Sequence, residues 1–237
     1  MLDFHQKLET HGGPFMSIAL SAPKTLVLIR HAYAVNNRLS RKAKTRDKGF
    51  STHNCHLTKY GKIQAAQLGE WLHRRYSFDR YFSSYYVRVL ETFCIAYPEV
   101  EPTVDARLIE LRRGIEELFT DKQIERLFPW SERQRKAREG RFHFKPLNGE
   151  SWADVEVRLR SFWLTLQVEC PNQCVVVFGH RKTLPVWRKI FENWTGEQTI
   201  DACEKHPTEN ASVTVYRRKG NKMVLELENF APWKEKK

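Results

Sequence analysis

Two short apolar runs each finish on a histidine. Leu26-Val-Leu-Ile29 leads straight into Arg30-His31, and Cys174-Val-Val-Val-Phe178 leads into Gly179-His180. Arginine next to histidine suits a tetrahedral oxyanion, because the guanidinium offers a rigid fork of N–H donors to paired oxygens. A neutral imidazole near pH 7 can attack phosphorus, and a hydrogen bond at one ring nitrogen fixes which nitrogen is free. A single histidine at a strand end is commonly structural. Two histidines at the ends of neighbouring parallel strands would instead share one crevice, since open α/β sheets bind their ligands outside the carboxyl ends of the strands. The implied chemistry is phosphate binding with a histidine available as nucleophile.

The elements that must position these residues follow from periodicity. Thr25 to Ile29 and Gln173 to Phe178 are short, continuous and apolar, as expected of strands covered on both faces. A helix is predicted from about Thr58, a suitable N-cap, to Tyr76; then a strand over Phe78 to Ser83 and a helix over Val87 to Ala96. In the helix predicted from Ser151 to Val168, a core stripe is formed by Trp152, Val155, Leu159, Phe162, Trp163 and Leu166. Another helix runs from the second histidine through Trp187 and Phe191. The last segment alternates around Lys219-Gly220-Asn221 and reads as an antiparallel hairpin. The expected fold class is therefore three-layer α/β, with a mostly parallel central sheet, helices on both faces and a C-terminal antiparallel hairpin. Residues 1–23 read as an N-terminal arm. Residues 24–237 read as a single domain carrying a helical insertion or lid at about 115–147.

With 237 residues, 41% of them hydrophobic, the chain can bury a sizeable core. A formal net charge of +12 favours anionic partners. Five cysteines, odd in number and without paired CxxC spacing, are expected to be reduced, structural thiols. No stretch reaches the 18 apolar residues of a membrane helix, and the N-terminus lacks the pattern of a signal peptide, so a cytoplasmic protein is expected.

Arg30-His31-Ala32 with Asn37 resembles the RHG(x)4N signature of the histidine phosphatase superfamily, the phosphoglycerate-mutase-like fold. Further blocks occur in that family's order over residues 24 to 232. Leu57-Thr-Lys-Tyr-Gly61-Lys-Ile-Gln64-Ala65 resembles the LTxxGxxQA block, and Ser83-Ser84 with Arg88, Glu91 and Thr92 resembles SSxxxRxxET. Leu108-Ile-Glu110 with Gly114, then Gly149-Glu150-Ser151, and finally Val175 to His180 complete the series.

The resemblance implies two-step phosphoryl transfer without a cofactor or metal. His31 would be the nucleophile and Glu110 the acid, with Glu116 and Glu117 as alternatives close by. Arg30, Arg88 and His180 would hold the phosphoryl oxygens, and Asn37 would add a hydrogen bond at the rim. Departures are also present. The family usually has glycine after each active-site histidine, whereas this chain has Ala32 and Arg181; Arg181 either adds a phosphate-binding cation at the pocket mouth or points to solvent. His53 and His56 flank Cys55, but without further metal ligands they read as loop residues. The segment Arg38 to Lys48 carries six cations in 11 residues. If ordered over the pocket, it would favour a polyanionic substrate.

The resulting expectation is a phosphatase hydrolysing phosphomonoesters through a phosphohistidine, acting on a small phosphorylated or polyanionic substrate. Its rivals are a phosphoglycerate-type mutase and a non-catalytic phosphate-binding scaffold. Nucleic acid is disfavoured, because no recognised module or aromatic single-strand platform accompanies the charge. The sequence leaves the oligomeric state open.

Overall fold

The computed structural model describes residues 21–39, 52–137 and 140–235. The N-terminal arm up to residue 20 and most of the basic segment, residues 40–51, lie outside the described residues. A six-stranded sheet has the order β3-β2-β4-β1-β5-β6. Its strands are β1 (Thr25–Arg30), β2 (Arg80–Ser83), β3 (Thr103–Val104), β4 (Cys174–Gly179), β5 (Val213–Lys219) and β6 (Lys222–Phe230). The first four pair in parallel, while β5 runs antiparallel to both β1 and β6.

Alternation of side chains across the pleat sends each central strand into two cores. From β1 and β4, Val27, Ile29, Val176 and Phe178 pack beneath α2 (Lys59–Arg75) and α3 (Val87–Ala96), against Leu68, Leu72, Val89 and Phe93. On the other face Leu26, Leu28, Val175 and Val177 meet Val155, Leu159, Phe162 and Leu166 of α6 (Trp152–Glu169), and Leu184 and Trp187 of α7 (Thr183–Glu192). Burial on both sides is why these strands read as continuous apolar runs. The hairpin differs in one respect from simple alternation. Val213 to Tyr216 of β5 are all buried, because β5 is paired on both edges and covered on both faces, and only β6 alternates.

The start of α2 is fitted closely to the loop that follows β1. Thr58 caps the helix by accepting the Gly61 N–H, and the Thr58 N–H and hydroxyl both donate to the Tyr33 carbonyl. A Cβ on Gly61 would lie 2.0 Å from that carbonyl oxygen, so only glycine lets the helix dock there. Gly61→Ala should destabilise the protein by about 3 kcal/mol, the upper end for overpacking, because backbone rather than a flexible side chain must yield. Urea unfolding of the two proteins measures this, and equal midpoints would refute the close approach.

Residues 115–147 hold a 3-10 turn (Gly114–Leu118) and the helices α4 (Asp121–Leu127) and α5 (Pro129–Lys136). The segment leaves and re-enters the body at one place. The Ile115 N–H donates to Leu147 O, and the Glu150 N–H donates to Arg112 O. Gly114, at φ 56°, packs so tightly against this stem that a Cβ would meet Leu147 O at 2.1 Å. A further helix, α8 (Gly196–Lys205), went unpredicted despite its Thr195–Gln198 capping box.

Candidate active site

Strands β1 and β4 are neighbours in register, with Arg30 opposite Gly179, so both sequence-predicted histidines emerge side by side. The His31 and His180 ring centres are 5.5 Å apart and both residues are buried. Arg88, delivered from the first turn of α3, lies between them. Its Nε donates to His31 Nε2 at 3.1 Å and its Nη2 to His180 Nδ1 at 3.1 Å. Both remaining ring nitrogens then carry the proton. His31 Nδ1 donates to its neighbour's carbonyl, Ala32 O, at 2.8 Å, and His180 Nε2 donates to Ser84 Oγ at 2.9 Å. These partners leave His31 with an unprotonated Nε2 facing the cation.

The loop carrying His31 is tied from every side. The His31 N–H donates to Gly179 O, and its carbonyl accepts from the Ala211 N–H and Asn210 Nδ2. Thr92 Oγ1 takes the Ala32 N–H at 3.0 Å and donates to Arg88 O at 2.6 Å, so one hydroxyl couples the His31 loop to α3. Gln64 Oε1 accepts the Tyr33 N–H at 2.9 Å. Asn37, on α1 (Val35–Leu39), accepts the Ala34 N–H at 3.0 Å and Asn210 Nδ2 at 3.3 Å, which commits its carbonyl oxygen to the same loop. Ala32 is buried and lies outside the left-handed region, as does Arg181, so replacing the usual glycines needs no strained backbone.

Arg30 is buried beside this pair. It donates to Thr208 O, while its Nε is buried without a hydrogen-bond partner among the described residues. Burial first, then the Arg181 charge, pushes the Arg30 pKa down to about 10. Arg181 donates through Nη2 to Cys203 O on α8 at 2.8 Å, and its Nε, like that of Arg30, is buried without a hydrogen-bond partner among the described residues. Glu110 is half-buried and approaches from the loop before the 115–147 segment, its carboxylate accepting from the main-chain N–H of Leu111 at 3.0 Å and of Lys182 at 3.3 Å. Of the two alternative acids, Glu116 pairs with Arg113, while Glu117 accepts the Arg113 N–H and its charge also acts on Arg88. His53, in a 3-10 turn (Thr52–Asn54), packs on the Tyr86 ring, and His56 pairs with Glu91.

Burial, followed by the Arg88 charge, holds both histidines well below the ordinary value of 6.5. A histidine kept neutral by the fold binds fewer protons than it does in the unfolded chain. Stability from this source is therefore present above pH 6.5 and is lost as the pH falls below it. Each histidine should contribute a slope of up to about 1.4 kcal/mol per pH unit. Urea midpoints measured from pH 7.5 to 5 should fall steeply in the wild type and less so in His180→Asn; parallel curves would contradict this.

Of the residues singled out in the sequence, the structure brings His31, His180, Arg30, Arg88, Asn37 and Glu110 to the same edge of the sheet and turns Arg181 to Cys203 O; Ser84, Thr92, Gln64 and Asn210, which hold their surroundings, were not singled out. Ser84, Thr92 and Gln64 sit inside the quoted motif blocks, so their signal was present, but their role is to hold backbone and could not be read before the loop was in place. Asn210 carried no signal.

The fold gathers two histidines, Arg30 and Arg88 at the carboxyl edge of a parallel sheet. Residues 26–231 match the family model of the histidine phosphatase superfamily (branch 1), and the chain belongs to that superfamily. No curated protein sequence matches it. Among solved structures, the alpha-ribazole phosphatase from Shigella flexneri is 19% identical with a TM-score of 0.70, covering 86% of this chain and 96% of that one. The mycobacterial glucosyl-3-phosphoglycerate phosphatase in complex with VO3 is 23% identical with a TM-score of 0.70, covering 87% and 99%. YhfR of Bacillus stearothermophilus is 22% identical with a TM-score of 0.69, covering 87% and 96%. At these identities the likeness is one of fold.

Proposed function

We propose that the protein is a phosphomonoesterase working through a phosphohistidine on His31, with no metal ion. The observation that carries this reading is the Arg88 bridge, which leaves His31 Nε2 unprotonated and places a guanidinium where phosphoryl charge would develop. As substrate arrives, Arg88 passes its N–H groups from the imidazoles to the phosphoryl oxygens, freeing the Nε2 lone pair for in-line attack. The Nε2–P bond forms while the P–O bond to the leaving group breaks, and Glu110, as the acid, delivers a proton to the departing oxygen. A water then attacks phosphorus, returning a proton to Glu110 as the N–P bond breaks and inorganic phosphate leaves. The unpartnered Nε of Arg30 and the cationic environment of the site supply the electrostatic stabilisation.

The phosphatase names of structures with the same fold support the hydrolase class. We read the segment 115–147 as a lid within one domain, because its stem at Arg112–Ile115 adjoins Glu110. Incubation with a panel of phosphomonoesters in the presence of a chelator should release inorganic phosphate. Transfer to an acceptor without net release would favour a mutase, and no turnover with no acid-labile phosphoprotein would favour a scaffold.

A further inference from the structure

The helix that delivers Arg88 opens on an aromatic residue to which the two-step reaction gives no part. Tyr86 is the N-cap of α3 and is buried. Its carbonyl accepts the N–H groups of Val89 and Leu90, and its own N–H donates to Ser84 Oγ at 3.4 Å, the hydroxyl that also accepts from His180 Nε2. Backbone contacts thus fix where this ring starts, two residues before the cation.

The ring itself touches the machinery. The Arg88 guanidinium carbon lies over it, 4.9 Å from its centre, and the His180 ring is 4.9 Å away at 70°. His53 packs on it at 4.5 Å. A guanidinium over an aromatic face is drawn to the ring quadrupole, more strongly where water is excluded, and Arg88 and Tyr86 are both buried. A carboxylate in this place would take the guanidinium N–H groups in a fork and offset its charge. An aromatic face holds the cation and takes neither. That difference matters for Arg88, whose Nε and Nη2 are directed at His31 and His180 and, in the proposed reaction, pass to phosphoryl oxygens. Burial, then the neighbouring Tyr85 and Glu117, pushes the Tyr86 hydroxyl above its ordinary pKa, so the ring stays an uncharged phenol.

We propose that Tyr86 is a positioning residue whose ring face holds the Arg88 guanidinium between the two histidines without using the N–H donors that an oxyanion must receive. Its effect on rate rests on the phosphomonoesterase reading above. Its effect on oxyanion binding does not.

The test is a double-mutant cycle with Arg88. Tyr86→Leu removes the face and should lower kcat by about 10- to 30-fold, the range for a desolvated cation–π contact, with a smaller change in KM. Tyr86→Phe keeps the face and should retain most of kcat. In an Arg88→Ala background, Tyr86→Leu should change kcat by less than about 2-fold, because the ring then has no cation to hold. Calorimetric Kd values for orthovanadate, a mimic of the transferring phosphoryl group, give the same comparison without turnover. If wild type hydrolyses no ester, the phosphatase reading fails while the vanadate values still decide the role of Tyr86. Urea midpoints identify any variant that does not fold; Tyr86→Met, which fills the space without an aromatic face, then replaces Tyr86→Leu. Wild-type kcat and vanadate binding in Tyr86→Leu overturn the proposal. So does an equal loss in Tyr86→Phe, which would make the hydroxyl the working group, or a Tyr86→Leu effect undiminished in Arg88→Ala, which would make the ring packing alone.

Discussion

His31→Ala should lower phosphate release by about 10,000-fold or more, because the proposed mechanism forms the N–P bond on His31 and residues acting as one unit fail together. The buried imidazole has its Nδ1 proton committed to Ala32 O and its Nε2 directed at Arg88. Removing it deletes the proposed nucleophile and also takes away the acceptor for a buried guanidinium. The loss must therefore be separated from unfolding by comparing urea midpoints of variant and wild type under the assay conditions. Rapid acid or base quench with phosphorus-labelled substrate supplies the second readout. Wild type should yield a base-stable, acid-labile phosphoprotein, and the variant none. Unaltered turnover in His31→Ala would sink the assignment outright.

Arg88→Ala should cost about 1,000-fold in kcat, within the range for removing a cation that stabilises a transferring phosphoryl group. This residue also governs the titration of both histidines. After burial, its charge is the largest influence holding His31 and His180 below 6.5. Without that charge both pKa values rise, so the acid limb of kcat/KM should move to higher pH in Arg88→Ala. Arg88→Lys keeps a positive charge but cannot donate to two imidazoles through one planar fork. We expect about a 100-fold loss there, with the acid limb close to that of wild type. A purely structural role for Arg88 would lower activity without moving the limb, so the pH profile separates the two explanations.

The same pair of residues shows what could be read from the chain. Continuous apolar runs at Thr25 to Ile29 and Gln173 to Phe178 specified strands buried on both faces, and the periodic stripe of α6 specified a helix packed on one of them. Such patterns are local, since they need only the period of each element and the rule that apolar side chains leave water. Capping signals at Thr58 and Ser151 set helix starts for the same reason. The short β3 has only two exposed residues and no pattern to detect, and α8 buries only Thr199, Ile200 and Cys203, too few for a clear stripe.

Amino-acid order alone determined that arginine and histidine stand at the end of one buried strand, that a second histidine ends another, and that Arg88 opens a helix after two serines. Only the tertiary structure decided that β1 and β4 adjoin in register, that Arg88 bridges the two rings, and that Arg181 turns to Cys203 while Lys182 stands beside Glu110. Strand neighbours and guanidinium partners depend on contacts between residues far apart in the chain, many of them 50 to 150 positions away in this fold, and no local period encodes which of them meet.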